Sequence, residues 1–263
     1  RLRLEVPVNP SEAVREDNAA DLHVLVTEPR IRVLYVEGTI RPEYRSLKRL
    51  LDSDPNVQFM SLIRMRGNTF WAYGTLAGQK LMALPATEED FGLFDVLILG
   101  DLDRTFLRTE QMARIRKFVN DGGGLLMTGG HNSFGPGGYG GTDLEAALPV
   151  EMGGRDQPQE TTEFVPQLTA AGEQHPIFEG IAGYFSGPAG RQPQADLPKL
   201  PPLLGCVTVL RAKPAAEVLA LHPLRRNEDG PLVVLAVQRL GAGRAAAFTA
   251  DTTWQWYRHL LAL

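Results

Sequence analysis

The chain has 263 residues, 43% hydrophobic and 22% charged, with a formal net charge of −4. That balance is ordinary for a globular α/β chain of one large domain or two small ones, and it leaves no electrostatic case for nucleic acid. The single cysteine, Cys206, excludes an internal disulfide and a cysteine-rich zinc site.

Taken in chain order, Arg1–Val6 alternates polar and apolar residues and Asp21–Val26 is a second strand candidate; the two are expected to pair. Residues 1–29 then form an N-terminal β segment, either a lead-in to the main domain or the tail of a preceding β-sandwich. Because the chain opens at Arg1 and ends on Leu263, it reads as an excised piece of something longer. No signal peptide is visible, and no apolar run reaches the roughly 18 residues that a membrane helix needs.

From Ile31 the pattern becomes strand, helix, strand. Ile31–Val36 is a strand ending at Glu37-Gly38. Pro42 opens a helix to Leu51, where its missing N–H costs nothing. Val57–Met65 is the next strand, and residues 67–92 read as an irregular surface excursion carrying Phe70, Trp71 and Tyr73. Asp95–Gly100 is a near-continuous apolar run of the kind that buried parallel strands show. Thr109 is placed to cap a helix with an inward stripe of Met112, Ile115, Phe118 and Val119. Gly122–Gly124 ends that helix, and the strand Leu125–Thr128 follows. Such alternation implies right-handed crossovers and a parallel sheet. Residues 153–202 are rich in Pro, Gly and Gln. Four β segments follow at 207–210, 217–221, 232–238 and 245–249, and 251–263 reads as a closing helix.

The stretch Gly122–Thr142 is the first place to look for function, because open α/β sheets bind ligands at the carboxyl ends of their strands. Gly135–Gly140 matches G-x-G-x-x-G, but it begins well after the strand and after two α/β units, unlike a dinucleotide fingerprint. The P-loop pattern fails because Gly141 stands where a lysine is needed. Ser133 invites a nucleophile reading with His131 beside it, although no local carboxylate orients the histidine. The alternative use of Asn132 and Ser133 is to cap backbone groups in a tight loop. Glu37, Asp101, Asp103 and Asp251 each follow a predicted strand, so a parallel sheet gathers them along one edge with His131. Oxygen ligands could then hold a cation, but no dense metal motif occurs and neither a metal nor a cofactor is expected. His175-Pro176 and the tryptophans 254 and 256 read as packing residues.

Several segments together resemble one family. They are Arg32–Gly38 with Pro42-Glu43-Tyr44, Asp95–Asp101, Gly122–Gly135, Gly138-Tyr139, His175-Pro176, Leu203–Cys206 with Ala212–Pro214, and Gly243–Trp254. The set, covering about residues 30–256, is similar to the glutamine amidotransferase-like domains of the class I superfamily. Such domains occur in large bacterial proteins, often beside von Willebrand factor type A and Ig-like regions and membrane-spanning helices. The resemblance implies an α/β fold, a flavodoxin-like three-layer sandwich with a mostly parallel sheet, occupying residues 30–263 with a β-rich C-terminal extension. It also implies a catalytic cysteine on the turn after Leu125–Thr128, with a His-x-Glu pair downstream. That turn reads Gly129-Gly130-His131, and the region near Asp251 has no clear His-x-Glu counterpart.

The expected function is therefore a non-catalytic ligand-binding or interaction module of a larger bacterial protein with a membrane-anchored parent. The fragment itself is expected to make no membrane contact. Its partner would be a small polar or anionic ligand, or a protein. The ligand would be held at Glu37, Gly38, Asp101, Gly129, Gly130, His131, Asn132 and Ser133. The alternative is a hydrolase using His131, Ser133 and Asp251 or Asp101.

Overall fold

Backbone and side chains are described here from a computed structural model covering residues 2–5, 7, 18–22 and 30–261. The chain divides into two compact units, Arg1–Arg30 and Ile31–Leu263. In the first, β1 (Leu2–Glu5) pairs antiparallel with β2 (Ala19–Leu22). The remaining residues of the two expected strands, Arg1, Val6 and 23–26, lie outside the described residues, as do Ala262 and Leu263 of the closing helix.

The second unit begins β3 (Ile31–Glu37), α1 (Pro42–Ser53), β4 (Val57–Arg66), β5 (Thr69–Gly74), α2 (Glu88–Phe91) and β6 (Val96–Leu99). It continues α3 (Thr109–Asn120), β7 (Gly124–Thr128) and α4 (Asp143–Ala147). Short pieces follow: β8 (Val150–Glu151), β9 (Gln159–Glu160), β10 (Gln167–Leu168), α5 (Ala170–Gln174), β11 (Cys206–Val207) and β12 (Arg211–Ala212). The chain closes with β13 (Glu217–Asn227), β14 (Gly230–Leu240), β15 (Gly243–Phe248) and α6 (Trp254–Leu261).

One nine-stranded sheet runs β10-β13-β14-β15-β7-β6-β3-β4-β5. Its five middle strands, β15 to β4, are parallel. Antiparallel strands flank them on both sides. Alternation along β3 shows why the centre forms. Leu34 and Val36 pack with Met112, Ile115 and Val119 of α3, whereas Val33 and Tyr35 pack with Tyr44, Leu47 and Leu51 of α1. Both faces are covered, so the middle of β3, Val33–Val36, is apolar on both faces.

Residues 67–92 depart from the expected excursion. Gly67, with φ of 55°, turns the chain back between Arg66 and Thr69, so β5 pairs antiparallel with β4. Phe70 and Ala72 face the core while Trp71 is exposed, the alternation of a strand with one covered face. Thr109 is the first residue of α3 and not its cap. The Gln111 side chain instead accepts from the Arg108 N–H at 3.0 Å. The expected strand 207–210 is not formed: β11 stops at Val207, residues 208–210 lie in no strand, and β12 begins at Arg211, the two short strands pairing with β9 and β8.

Candidate functional site

The carboxyl ends of β3, β6, β7 and β15 converge, as parallel pairing requires. Glu37, the last residue of β3, is fully buried. Its Oε2 accepts from the Tyr35 hydroxyl at 2.7 Å and from Arg41 Nε at 3.1 Å. Its Oε1 accepts from the Asp101 N–H at 2.8 Å. Desolvation by burial, followed by the Glu37 charge, pushes the Tyr35 phenol well above its ordinary range, so it stays a hydrogen-bond donor.

Arg41 sits between the end of β3 and the first turn of α1, and sequence reading missed it. Its Nη1 donates to the Gly129 carbonyl at 2.6 Å and to Asp251 Oδ2 at 2.8 Å. Its Nη2 donates to Thr128 Oγ1 at 3.1 Å. One guanidinium thus ties the ends of β3 and β7 to Asp251, three residues past the end of β15. Burial works to lower its pKa, but the charge of Glu37, with Tyr35, Asp251 and Asp101, outweighs this and holds it above the ordinary value. The planar fork of arginine suits such multi-strand bridging; a lysine point charge does not.

Asp101 fills the mouth of the glycine turn. Its Oδ1 accepts from the Asn132 N–H at 2.5 Å and its Oδ2 from Asn132 Nδ2 at 3.2 Å. Glycine is required here by space. A Cβ on Gly38 would lie 2.0 Å from the Asp101 carbonyl oxygen, and one on Gly129 would lie 2.0 Å from that of Thr249. A Cβ on Gly130 would lie 2.6 Å from Asp101 Oδ1. The Gly129 N–H is also committed, to the Phe248 and Ala250 carbonyls. An anion at this turn would compete with a carboxylate that the protein supplies itself.

The other predicted residues are placed as follows. Ser133 is fully buried and its hydroxyl donates to the Gly130 carbonyl at 3.1 Å. His131 is exposed, and no hydrogen bond joins it to Ser133, Asp101 or Asp251. Asp103 turns away to Arg155 at 2.8 Å and to the Thr105 N–H; these bonds overcome the opposing effect of burial and bring its carboxyl down to about 2. Among the described residues, no three His, Cys, Asp or Glu side chains are grouped to hold a metal ion. Cys206 is buried on β11, and burial pushes its thiol up to about 12, against a hydrogen bond to Thr249. His175 Nδ1 accepts from the Ile177 N–H at 3.2 Å, a structural cap.

Glu43, in the first turn of α1, was also missed. It is buried and accepts from the Thr253 hydroxyl and from the Trp254 N–H at 3.1 Å. Burial pushes its carboxyl up to about 7, against those two hydrogen bonds and the charge of Arg41. An acid in the first turn of a helix is ordinary, so nothing local in the sequence marks this one.

A family described as "Putative glutamine amidotransferase" (GATase1-like) matches residues 75–261. The chain belongs to this family. No curated protein matches it in sequence. Among solved structures, this GATase1-like chain is similar to the cytoplasmic protein STM1381 of Salmonella typhimurium LT2. Identity is 18% and the TM-score 0.54, with 88% of this chain and 96% of that one covered. It is also similar to the cytoplasmic protein STM3548 of Salmonella typhimurium, at 17% identity and a TM-score of 0.51, covering 89% and 99%. At such identities the likeness is one of fold.

Proposed function

We propose that this GATase1-like domain is a non-catalytic module of the flavodoxin-like class I amidotransferase type, working by binding within a larger bacterial protein. In this reading the parent is membrane-anchored, and residues 1–29 are an N-terminal β segment, either a lead-in to the domain or the tail of a preceding β-sandwich. Among the described residues no helix is long and apolar enough to cross a membrane, so an anchor would belong to the parent.

The observation that carries the reading is the closed strand-end crossing. Where a class I amidotransferase needs a thiolate and an orienting pair, Arg41 bonds Glu37, Gly129, Thr128 and Asp251 at once. The one cysteine is buried elsewhere with its thiol held protonated, and a thiol, unlike a thiolate, is a poor nucleophile. Nothing in the side-chain geometry favours the hydrolase alternative. Ser133 is buried against a backbone carbonyl, and His131 lacks an orienting carboxylate. Within the turn, exposed His131 and half-buried Asn132 are left to meet a polar ligand or a partner protein.

Incubation with glutamine and measurement of ammonia tests this. We expect no release above the uncatalysed background. Turnover that disappears in Cys206→Ala or His131→Ala would overturn the proposal.

A further inference from the structure

A second region of the molecule has the opposite character. On the α1 side of the sheet lies a cavity of about 410 Å³. That size falls within the range of about 300–1,000 Å³ of small-molecule sites. Leu47 of α1, Leu126 and Phe248 of the sheet, Phe178 and Phe185 of the Pro- and Gly-rich stretch 153–202, and Trp256 of α6 line it. At its rim Ile177, Ile181 and Leu260 remain 44–48% exposed, unusual for residues of their size. Of the described residues lining it, only Glu43 carries a formal charge.

Among the described residues no cation forms an ion pair with Glu43. Each of its oxygens accepts one hydrogen bond, from Thr253 and Trp254, although a carboxylate has about four acceptor positions. The neighbouring cation, Arg41, is committed to Glu37, Asp251, Gly129 and Thr128. Buried carboxylates are ordinarily paired, because an unpaired charge in an apolar setting is costly. Here the carboxyl without an ion-pair partner stands on the wall of an apolar chamber that opens to solvent past exposed hydrophobic side chains.

We propose that this cavity binds a small amphiphile with a protonated amine head, the ammonium meeting Glu43 and the apolar body lying against Leu126, Phe248 and Trp256. An ammonium supplies the missing counter-charge and donors for the free acceptor positions. A carboxylate head would place like charges together and is disfavoured. The raised carboxyl of Glu43 agrees with this, since a cation beside it would restore its ionised form. The site is separate from the glycine turn and does not rest on the catalytic status of the domain, so an ammonia assay and a binding assay can fail independently.

The test is a titration of the whole chain with octylamine, octanoate and octanol, each below its micellar range, followed by tryptophan fluorescence and calorimetry. Octylamine should saturate with one site, and octanoate should bind at least about tenfold more weakly, the worth of one charge-assisted hydrogen bond. Glu43→Gln should remove most of that preference. Ala246→Phe, which adds bulk at the cavity wall, should abolish octylamine binding. If Ala246→Phe fails to fold, Ile177→Lys at the exposed rim serves instead and should weaken octylamine selectively. Equal binding of the amine and the acid would overturn the proposal. So would octylamine binding unchanged in Glu43→Gln, no saturable octylamine binding, or a dimer of this chain that buries the cavity mouth.

Discussion

Arg41 and Glu43 stand two residues apart at the start of α1, yet they serve regions that solve opposite problems. Around Arg41 the strand ends meet in a closed crossing in which each charge has a partner. Around Glu43 an apolar chamber is open, and its one ionisable group has no ion-pair partner among the described residues. The difference teaches that a carboxyl-edge position does not by itself make a ligand site. In this fold the edge crevice is filled by the protein's own side chains, and the unfilled volume lies beside it, under α1 and α6.

Removing the cross-link should have the largest effect. Arg41→Ala leaves Glu37 buried without its cation, a loss of about 3–5 kcal/mol in the stability read from urea denaturation. A loss under about 1 kcal/mol, the worth of a surface pair, would break the comparison by showing that the crossing is not a stabilising knot.

The next effect tests the Glu43 side. Its folded pKa, near 7, lies above its ordinary 4.5, so the folded state holds the proton more tightly than the unfolded chain. The stability this contributes is fully present below about pH 4.5 and is lost as pH rises towards 7. The pKa difference corresponds to about 3 kcal/mol at most. Arg41, which lowers it, and Asp251, which raises it, are the other charges acting on this carboxyl. Glu43→Gln should flatten that part of the stability–pH curve; a slope identical to that of the parent chain would place the titration elsewhere.

Gly129→Ala comes third. Its methyl would press on the Thr249 carbonyl, a backbone atom that cannot swing aside, at a cost of about 1–3 kcal/mol. Gly141→Ala, where no atom lies within 4 Å of the added carbon but φ is +71°, carries only the backbone penalty of about 1–2 kcal/mol. A Gly129 variant milder than the Gly141 one would show that the crossing yields more easily than its contacts imply.

The smallest perturbation is chemical. Native Cys206 should react with a thiol reagent far more slowly than the urea-unfolded chain, because burial holds its thiol protonated and inaccessible. Equal rates would remove the case for an inert cysteine.

Much of this comparison was legible in the sequence, and the reasons are local. The strands at 31–37, 57–66, 96–99 and 124–128 carry their own apolar pattern and lie between helix signals. Glu37, Asp101 and the glycine turn could be grouped because parallel strands share an end. The partner of Glu37 was not legible. Arg41 acquires its role only when β3, β7 and the segment after β15 meet, and no window of sequence contains all of them. The strand Thr69–Gly74 was missed because a tight Gly67-Asn68 turn was read together with the irregular residues after it. Glu43 was not legible either, because an acid is ordinary in the first turn of a helix and the local sequence does not show its burial.

The measurement that tests the account most directly is a pair of amide NMR titrations of the same labelled protein, one with glutamine and one with octylamine. The account predicts that glutamine leaves the amides of Gly129–Ser133 unmoved, while octylamine shifts Leu126, Phe248 and Trp256 along the cavity wall. Saturable glutamine shifts confined to Gly129–Ser133, with the cavity amides silent to octylamine, would contradict it.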